Sequence, residues 1–384
     1  MGLKVLFVDQ TGQLGGGELS LLDLIRGTGH TAEVVLFTDG PFRKLLEEIP
    51  VRVHLLSAGG AGEVRREAAM GALLSAIPSF LQLRNKLAHI ARDFDVIYAN
   101  SQKAFIVSAL AKQSRQPLLW HLRDMLSAEH FSKLLRKVAV FTGNHAADLI
   151  VANSEATLES LVASGGRRDK ATVIYNGISP APFDSISDEQ VLEIRKKLGW
   201  EGRFVAGAFG RLSPWKGQHI LLDAITSIPT LHVAIVGDAL FGEKDYAESL
   251  RIQAQQHGIE DRVHFLGFRR DIPELMRAVD VVAHTATAPE PFGRVIVEGM
   301  LAKRPVIATR AGGALEIVRD KENGLLVSPG DSAALATALM QLQNHSELRV
   351  RLATNGRLSA EREFSIQGMI HGIDQAIHQL GASQ

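Results

Sequence analysis

Two cations near the end of an apolar run could hold a diphosphate. The run Phe204–Phe209 is followed by G-R-L-S-P-W-K-G, which contains Arg211 and Lys216 and leads into a helical pattern. Arg offers a planar fork of donors and Lys a point charge, and both suit phosphate oxygens at a helix N-terminus. Solvated surface charge is the usual fate of Lys and Arg, but the position at a predicted strand end favours a binding role for this pair.

Two carboxylates lie eight residues apart in a second segment. Residues 288–300 read A-P-E-P-F-G-R-V-I-V-E-G-M, with Glu290 in a proline-rich loop and Glu298 in a helix predicted from about Gly293. Eight residues of continuous helix rise about 12 Å, whereas carboxylates that hydrolyse a glycosidic bond lie about 5–9.5 Å apart. The spacing favours two acceptors for hydroxyl groups at opposite ends of one elongated ligand over a hydrolytic pair.

A glycine-rich turn follows the first apolar run. Its three glycines, Gly15–Gly17, stand where backbone N–H groups could approach an anion at a helix N-terminus. The fingerprint G-x-G-x-x-G is nearly met, but Ser20 occupies its third position, and Asp39 lies near the offset of a ribose-binding acid. An NAD-dependent oxidoreductase built on Gly15–Gly17 and Asp39 therefore stays open at this point, as does a tight turn without a ligand.

Thirteen short apolar runs alternate with helical patterns, and most of them are continuously apolar. That pattern is typical of parallel strands covered by helices on both faces. We therefore predict an α/β fold of two Rossmann-like, doubly wound parallel sheets that face each other across a cleft. The runs are 4–8, 33–37, 51–55, 96–99, 118–121, 149–152 and 172–175 in the first series, and 204–209, 232–236, 263–266, 279–284, 305–309 and 325–327 in the second.

The pattern pauses at I-S-P-A-P-F-D, which has two prolines and no periodicity and indicates a linker near 178–188. We predict an N-terminal domain over 1–180 and a C-terminal domain over 189–364. The tail, 365–384, is expected to form a helix that can pack back toward the N-terminal domain.

Composition excludes several classes. Of 384 residues, 46% are apolar and 22% charged, so disorder, collagen and coiled coil are excluded. Balanced charge, 42 basic against 42 acidic residues, disfavours a nucleic-acid partner, and the absence of Cys excludes thiolate chemistry. The longest uncharged stretch, Ala68–Leu83, is too short and polar to span a bilayer, and no targeting segment is evident, so a cytoplasmic protein is expected.

Essentially the whole chain resembles retaining GT-B nucleotide-sugar glycosyltransferases, and more narrowly glycosyltransferase family 4. E-P-F-G-R-V-I-V-E at 290–298, K-R-P-V-I-A-T-R-A-G-G-A-L-E-I-V at 303–318 and N-G-L-L-V at 323–327 carry this resemblance. G-R-L-S-x-x-K-G at 210–217 and the glycine turn fit the same family. Gly299 departs from the motif, where Ala is usual, and is expected to loosen the helix slightly.

The resemblance implies a donor site mainly in the C-terminal domain and an acceptor site mainly in the N-terminal one. Arg211 and Lys216 would hold the diphosphate, Glu298 the ribose hydroxyls, and Glu290 the transferred sugar. His121 would lie near that sugar. The other implied donor-site residues are Gly16, Gly17, Phe292, Gly293, Arg294 and Val295, with Arg269 beside the base.

The resemblance also implies a UDP-sugar donor, with UDP-glucose the first choice, and a polysaccharide or lipid-linked glycan acceptor. No cofactor and no metal are expected, because two cations can stabilise the leaving diphosphate. The acidic pair Asp93 and Asp95 precedes a strand, at the wrong end for the cleft. A nucleotide-sugar 2-epimerase of the same fold stays open. So does peripheral membrane contact at 65–66 and at Lys133, Arg136 and Lys137, against the alternative of a helix packed on the sheet.

Overall fold

The computed structural model describes residues 2–56, 77–128, 131–239 and 243–382. The chain divides into two compact units, Met1–Gly177 with Ile366–Gln384, and Ile178–Ser365. Each unit is built on one parallel sheet, which confirms the predicted α/β class. Among the described residues, every helix is too short or too polar to span a bilayer.

The first unit has a seven-stranded sheet in the order β3-β2-β1-β4-β5-β6-β7, and all its neighbouring strands are parallel. The strand order reverses between β1 and β4. Its strands are β1 (Lys4–Asp9), β2 (Thr31–Leu36), β3 (Arg52–Leu55), β4 (Val96–Ala99), β5 (Leu118–Leu122), β6 (Leu149–Ala152) and β7 (Ala171–Val173); its helices are α1 (Gly16–Gly27), α2 (Pro41–Glu47), α3 (Ile77–Ala91), α4 (Gln102–Ala111), α5 (Lys133–Ala146), α6 (Glu155–Ala163) and, from the end of the chain, α16 (Ile366–Ala382).

The second unit has a six-stranded sheet in the order β10-β9-β8-β11-β12-β13, again parallel, with its reversal between β8 and β11. Its strands are β8 (Phe204–Phe209), β9 (Leu231–Val236), β10 (Val263–Gly267), β11 (Val281–His284), β12 (Val306–Thr309) and β13 (Leu325–Val327); its helices are α7 (Ala181–Asp184), α8 (Asp188–Lys197), α9 (Gln218–Ile225), α10 (Lys244–Gln256), α11 (Ile272–Ala278), α12 (Arg294–Leu301), α13 (Ala314–Ile317), α14 (Ser332–Asn344) and α15 (Ser346–Glu363).

Continuously apolar strands bury both faces of each sheet. In β1, Leu6 and Val8 join the core under α3, α4 and α5, whereas Val5 and Phe7 join the core under α1 and α16. This alternation follows from the two-residue period of a strand. Parallel sheets with a strand-order reversal bind ligands outside the carboxyl ends of the strands at that reversal, so the reversals locate the candidate sites.

The segment predicted to be a linker belongs to the second unit. Ile178 forms a bridge with Ser365, and α7 lies within the segment. Ile178, Phe183 and Ile186 are all buried. These apolar side chains explain why two prolines did not leave the segment without structure.

Candidate functional site

Polar residues gather at the strand-order reversal of the second unit. Arg211 lies two residues after the end of β8, and His284 ends the neighbouring strand β11. Lys216 lies in a 3-10 turn, Pro214–Lys216, that leads into α9. A small cavity at this point is lined by Lys216, Gln218, His284, Thr285, Glu290 and Val295, among others.

Glu290 is the centre of this group. Its Oε1 atom lies 2.6 Å from Lys216 Nζ and 3.1 Å from His284 Nε2, and its side chain is 8% exposed. Burial alone would raise the pKa of Glu290, but Lys216 and His284 together outweigh burial and hold that pKa well below its ordinary range. Glu290 therefore stays ionised although it is buried.

Trp215 lies beside both predicted diphosphate-binding cations. Lys216 Nζ is 4.4 Å from the centre of the Trp215 ring, and the Arg211 guanidinium carbon is 5.8 Å from it. Arg211 Nε also lies 3.5 Å from Glu243 Oε2. A cation over an indole face is held in place while it keeps its charge, so Trp215 fixes the directions of both cations.

The loop at 290–293 is held by two glycines from a later motif. Gly313 N donates to Glu290 O at 2.9 Å, and a Cβ at Gly312 would lie 2.3 Å from that same oxygen. A Cβ at Gly313 would lie 2.6 Å from Phe292 Cα. Only glycine permits this approach, which explains the A-G-G part of the second motif.

Helix α12 begins after Glu290, so Glu290 and Glu298 do not share a continuous helix. Gly293 has φ +102° and serves as the N-cap residue, and α12 starts at Arg294. The 12 Å helical spacing used in the sequence argument is therefore wrong. Glu298 lies one turn into α12 and contacts Arg294, with Oε1 3.3 Å from Arg294 Nε.

A second polar cluster lies at the strand-order reversal of the first unit. Asp9 ends β1, Asn100 follows β4 and Arg123 follows β5. Asn100 Nδ2 donates to Asp9 Oδ2 at 2.5 Å, and Arg123 Nε donates to Asn100 Oδ1 at 2.6 Å. Arg123 Nη1 also donates to Asn176 Oδ1 at 2.8 Å. Burial raises the pKa of Asp9 and lowers that of Arg123.

The glycine turn meets this cluster at the start of α1. Asn100 Nδ2 contacts Gly17 O at 3.4 Å, and a Cβ at Gly17 would lie 3.2 Å from Arg123 Cδ. Glu18 follows in the first turn of α1, and burial together with the charge of Asp9 raises the pKa of Glu18 to about 8. The exposed Gly16 begins the helix.

His121 is buried in β5 beside the same cluster. Its Nδ1 atom is hydrogen-bonded to the Tyr98 hydroxyl, and its buried Nε2 atom has no hydrogen-bond partner among the described residues. Burial, and secondarily the charge of Arg123, lowers the pKa of His121 well below its ordinary value. His121 is therefore neutral, and its Nδ1 atom is occupied by the hydrogen bond with the Tyr98 hydroxyl.

Family models match both units. Residues 15–177 match the glycosyl transferase 4-like domain, and residues 190–359 match the glycosyl transferases group 1. The crystal structure of Anabaena Alr3699/HepE in complex with UDP-glucose is 42% identical, covers 98% of this chain and 100% of that one, and has a TM-score of 0.88. The chain belongs to glycosyltransferase family 4.

Curated relatives agree with this family. The putative glycosyltransferase EpsD of Bacillus subtilis is 30% identical over 70% of this glycosyltransferase and 73% of its own length. The lipopolysaccharide core biosynthesis glycosyltransferase LpsE of Rhizobium meliloti is 35% identical, but the match covers 42% of this chain and 46% of LpsE. Sucrose-phosphate synthase of Thermosynechococcus elongatus, 22% identical with a TM-score of 0.84, supports the GT-B fold.

The oxidoreductase interpretation loses its basis in this glycosyltransferase. Ser20 is buried and donates to Asn176 Oδ1 at 3.0 Å. Asp39 is exposed and pairs with Arg43 at 3.2 Å. Asp95, from the acidic pair, accepts from Lys4 N at 2.7 Å, as expected for a residue at a strand start.

The predicted residues separate by unit. His121, Gly16 and Gly17 lie around the first unit's cluster, whereas Lys216, Glu290 and Val295 line the second unit's cavity. Arg211 does not line that cavity but lies beside Trp215. Phe292 is buried against Phe364, with ring centres 5.5 Å apart. Arg269 lies shortly after β10. Its Nε and Nη2 atoms donate to the two carboxylate oxygens of Asp271, at 2.7 and 2.5 Å.

Five residues of the two clusters were not predicted from the sequence: His284, Trp215, Asp9, Asn100 and Arg123. Four of them, Asp9, Asn100, Arg123 and His284, follow or end an apolar run at the carboxyl edge of a sheet. Listing the polar residue after every run would have found them. Of the proposed membrane contacts, 65–66 lie outside the described residues.

Proposed function

We propose that this glycosyltransferase moves a hexose, glucose as first choice, from a UDP-sugar to a polysaccharide or lipid-linked glycan with retention of anomeric configuration. The observation that carries the donor is a relative 42–43% identical over 98% of the chain, Anabaena Alr3699/HepE, whose structures hold UDP, UDP with glucose, and UDP-glucose. The cavity lined by Lys216 and Glu290 offers an ammonium group for phosphate oxygens and a carboxylate for sugar hydroxyls.

Arg211 and Lys216 can compensate the negative charge that develops on the diphosphate during the reaction. Breaking the anomeric C–O bond leaves positive charge on the sugar and negative charge on the diphosphate. Arg211 and Lys216, already oriented by Trp215, can stabilise that leaving group without reorganisation. With this stabilisation in place, we propose that transfer needs no metal ion.

Retention requires that the acceptor approach from the face that the diphosphate leaves. A leaving phosphate oxygen can then take the acceptor's proton, so the enzyme need not supply a base. His121 suits this scheme because it is neutral and offers a buried Nε2 atom for a sugar hydroxyl.

A nucleotide-release assay across UDP-, GDP- and ADP-sugars, repeated with EDTA, tests the proposal. We expect release to be fastest with UDP-glucose, unchanged by EDTA and dependent on an added glycan acceptor. Dependence on acceptor separates transfer from 2-epimerisation, and product NMR reports the anomeric configuration. Arg211→Ala should lose about 10²–10³-fold in release, whereas the exposed control Arg351→Ala should lose none. Equal rates for both variants would refute the assigned site.

A further inference from the structure

One outer surface of the first unit carries cations but no carboxylates on its helices. Helices α3, α4 and α5 pack side by side and bury Leu83, Phe105 and Val140 in one core, so their outward residues share one surface. The three helices contain six Lys or Arg and no Asp or Glu, although the whole chain is balanced at 42 of each sign. The basic face is Arg84, Lys86, Lys103, Lys133, Arg136 and Lys137.

Most of these cations lack the partners that cations have elsewhere in the unit. Apart from Lys103, none of the six forms an ion pair with a carboxylate that the structure describes. By contrast, Arg43, Lys112 and Arg168 each have a carboxylate oxygen within 2.9 Å. The basic face is therefore suited to an external anion.

Large apolar side chains are exposed among the cations. On α5, Leu134, Val138 and Phe141 follow helical spacing and are 38%, 39% and 66% exposed. Leu81 on α3 and Leu110 on α4 are more than half exposed. Exposure of this row of apolar side chains to water is unfavourable. Cations around an exposed aromatic ring are typical of a helix that lies in a lipid interface.

We propose that the basic face rests on an anionic bilayer, with Phe141 inserted among the lipids and the cations against phosphate headgroups. An acidic polysaccharide or nucleic acid would use the charges but not the apolar stripe, so the bilayer fits both observations. Each cation near such a surface strengthens attachment about fivefold. The proposal goes beyond the transfer reaction and does not depend on it.

Flotation of the full chain with vesicles tests the proposal. We expect binding to phosphatidylcholine vesicles that contain phosphatidylglycerol, weaker binding at high salt, and little binding to phosphatidylcholine alone. The double variant Lys133→Glu with Lys137→Glu should bind at least about tenfold less. Its control is Lys196→Glu with Lys197→Glu, an exposed pair on α8 that should bind like the wild type.

A second variant tests the contribution of the exposed apolar side chains. It keeps the proposal testable if the double variant Lys133→Glu with Lys137→Glu does not fold. Phe141→Gln should weaken vesicle binding several-fold, whereas Val350→Gln, at a position equally exposed at 66%, should not. Equal binding by test and control variants would overturn the proposal. So would indifference to phosphatidylglycerol, or binding to an acidic polysaccharide in place of vesicles. Nucleotide release with a water-soluble acceptor, measured on the same samples, should not differ among the variants and reports separately on the transfer reaction.

Discussion

Glu290 contacts two side chains from different elements, Lys216 in the turn after β8 and His284 at the end of β11. Lys216 and His284 both contact the same carboxylate oxygen, at 2.6 and 3.1 Å, and the carboxylate is nearly buried. A buried charge is tolerated when it is paired in this way, and removing one partner leaves the others uncompensated. Glu290 therefore sets the position of the Lys216 ammonium as well as its local charge.

Glu290→Gln keeps the shape of the side chain and removes its charge. We expect donor-dependent nucleotide release to fall by about 10²–10³-fold, because Lys216 loses the contact that positions it. Steady-state kinetics with UDP-glucose measures the loss. Glu193→Gln, at an exposed glutamate on α8, is the matched control. A Glu290→Gln enzyme as active as this control would contradict the role given to the cluster.

Tyr98 is the hydrogen-bond partner of His121. In Tyr98→Phe, both ring nitrogens of the buried His121 would lack a described partner. We expect the free energy of unfolding to fall by about 1–3 kcal/mol, measured by urea denaturation. Tyr246→Phe is a matched control, because Tyr246 bonds the partly exposed His219 at 2.9 Å and water can replace its hydroxyl. Equal losses in the two variants would contradict this account.

Motifs within one segment predicted Arg211, Lys216, Glu290 and Glu298 as site residues, because the relevant spacing is written in consecutive residues. Contacts between segments were not visible in the same way. Lys216 meets Glu290 because the strands that precede them, β8 and β11, are neighbours in the sheet. Arg123 is linked to Asp9 through Asn100 because β1, β4 and β5 are neighbours. Such pairs depend on strand order, which the sequence pattern did not provide.

Helix α12 packs closely on the strands that precede and follow it. A Cβ at Gly299 would lie 3.0 Å from Val282 Cβ and 3.1 Å from Val306 Cγ2. From the sequence, Gly299 is expected to loosen the helix slightly. The structure adds a packing reason for glycine, because a Val Cβ is fixed to its strand and cannot move away.

Gly299→Ala tests this packing at the level of the helix. Alanine improves helix propensity by about 1 kcal/mol, but crowding against two valines costs about 1–3 kcal/mol. We therefore expect a lower melting temperature than in the wild type. Adding Val282→Ala to Gly299→Ala removes the Val282 Cγ2 contact at 3.0 Å and so relieves part of the crowding. The two changes together should therefore cost less than the sum of the single changes. Simple additivity would contradict close packing.

Strands β9 and β10 carry two stacked histidines near their starts. His232 Nδ1 lies 3.3 Å from His264 Nε2. Burial, and then the charges of Arg203, His264 and Arg262, lowers the pKa of His232 from 6.5 to about 4. The unfolded chain therefore binds a proton between these pH values that the folded chain does not bind.

Because the pKa of His232 is lower in the folded chain than in the unfolded chain, the free energy of unfolding decreases in acid. The stability that neutral His232 provides is complete above pH 6.5 and is lost as pH falls from there toward 4. We expect the free energy of unfolding to fall by up to about 1.4 kcal/mol per pH unit from this group. In urea titrations at several pH values, His232→Gln should reduce that slope, whereas His371→Gln, at an exposed histidine, should not. An unchanged slope in His232→Gln would contradict the assignment.

Strands were predictable because each is a continuous apolar run. Every one of the thirteen runs overlaps a strand of the structure, with ends that differ by at most two residues. The segment at 178–188 was not predictable in this way, because its prolines hid the buried side chains of Ile178 and Phe183. Two short helices, α7 and α13, were also not predictable. Each has four residues, about one turn, which is too short to show a helical period.

On the scale of the whole molecule, each unit has its own core. The first unit's cores surround β1 and β4, and one of them includes Met369, Ile373 and Ile377 from the last helix, α16. The second unit's core surrounds β8 and β9 and includes Leu339. The last helix of the first unit therefore follows the whole of the second unit in the sequence.

Two matched core variants test whether the cores are energetically separate. Ile373→Ala and Leu339→Ala each remove a fully buried side chain, and each should cost about 2–5 kcal/mol. We expect Ile373→Ala to reduce hydrogen-exchange protection in β1 and β4 but not in β8 and β9. Leu339→Ala should do the reverse. Equal loss of protection in both sheets from either variant would mean that the two units unfold together, because cooperative unfolding exposes both cores at once.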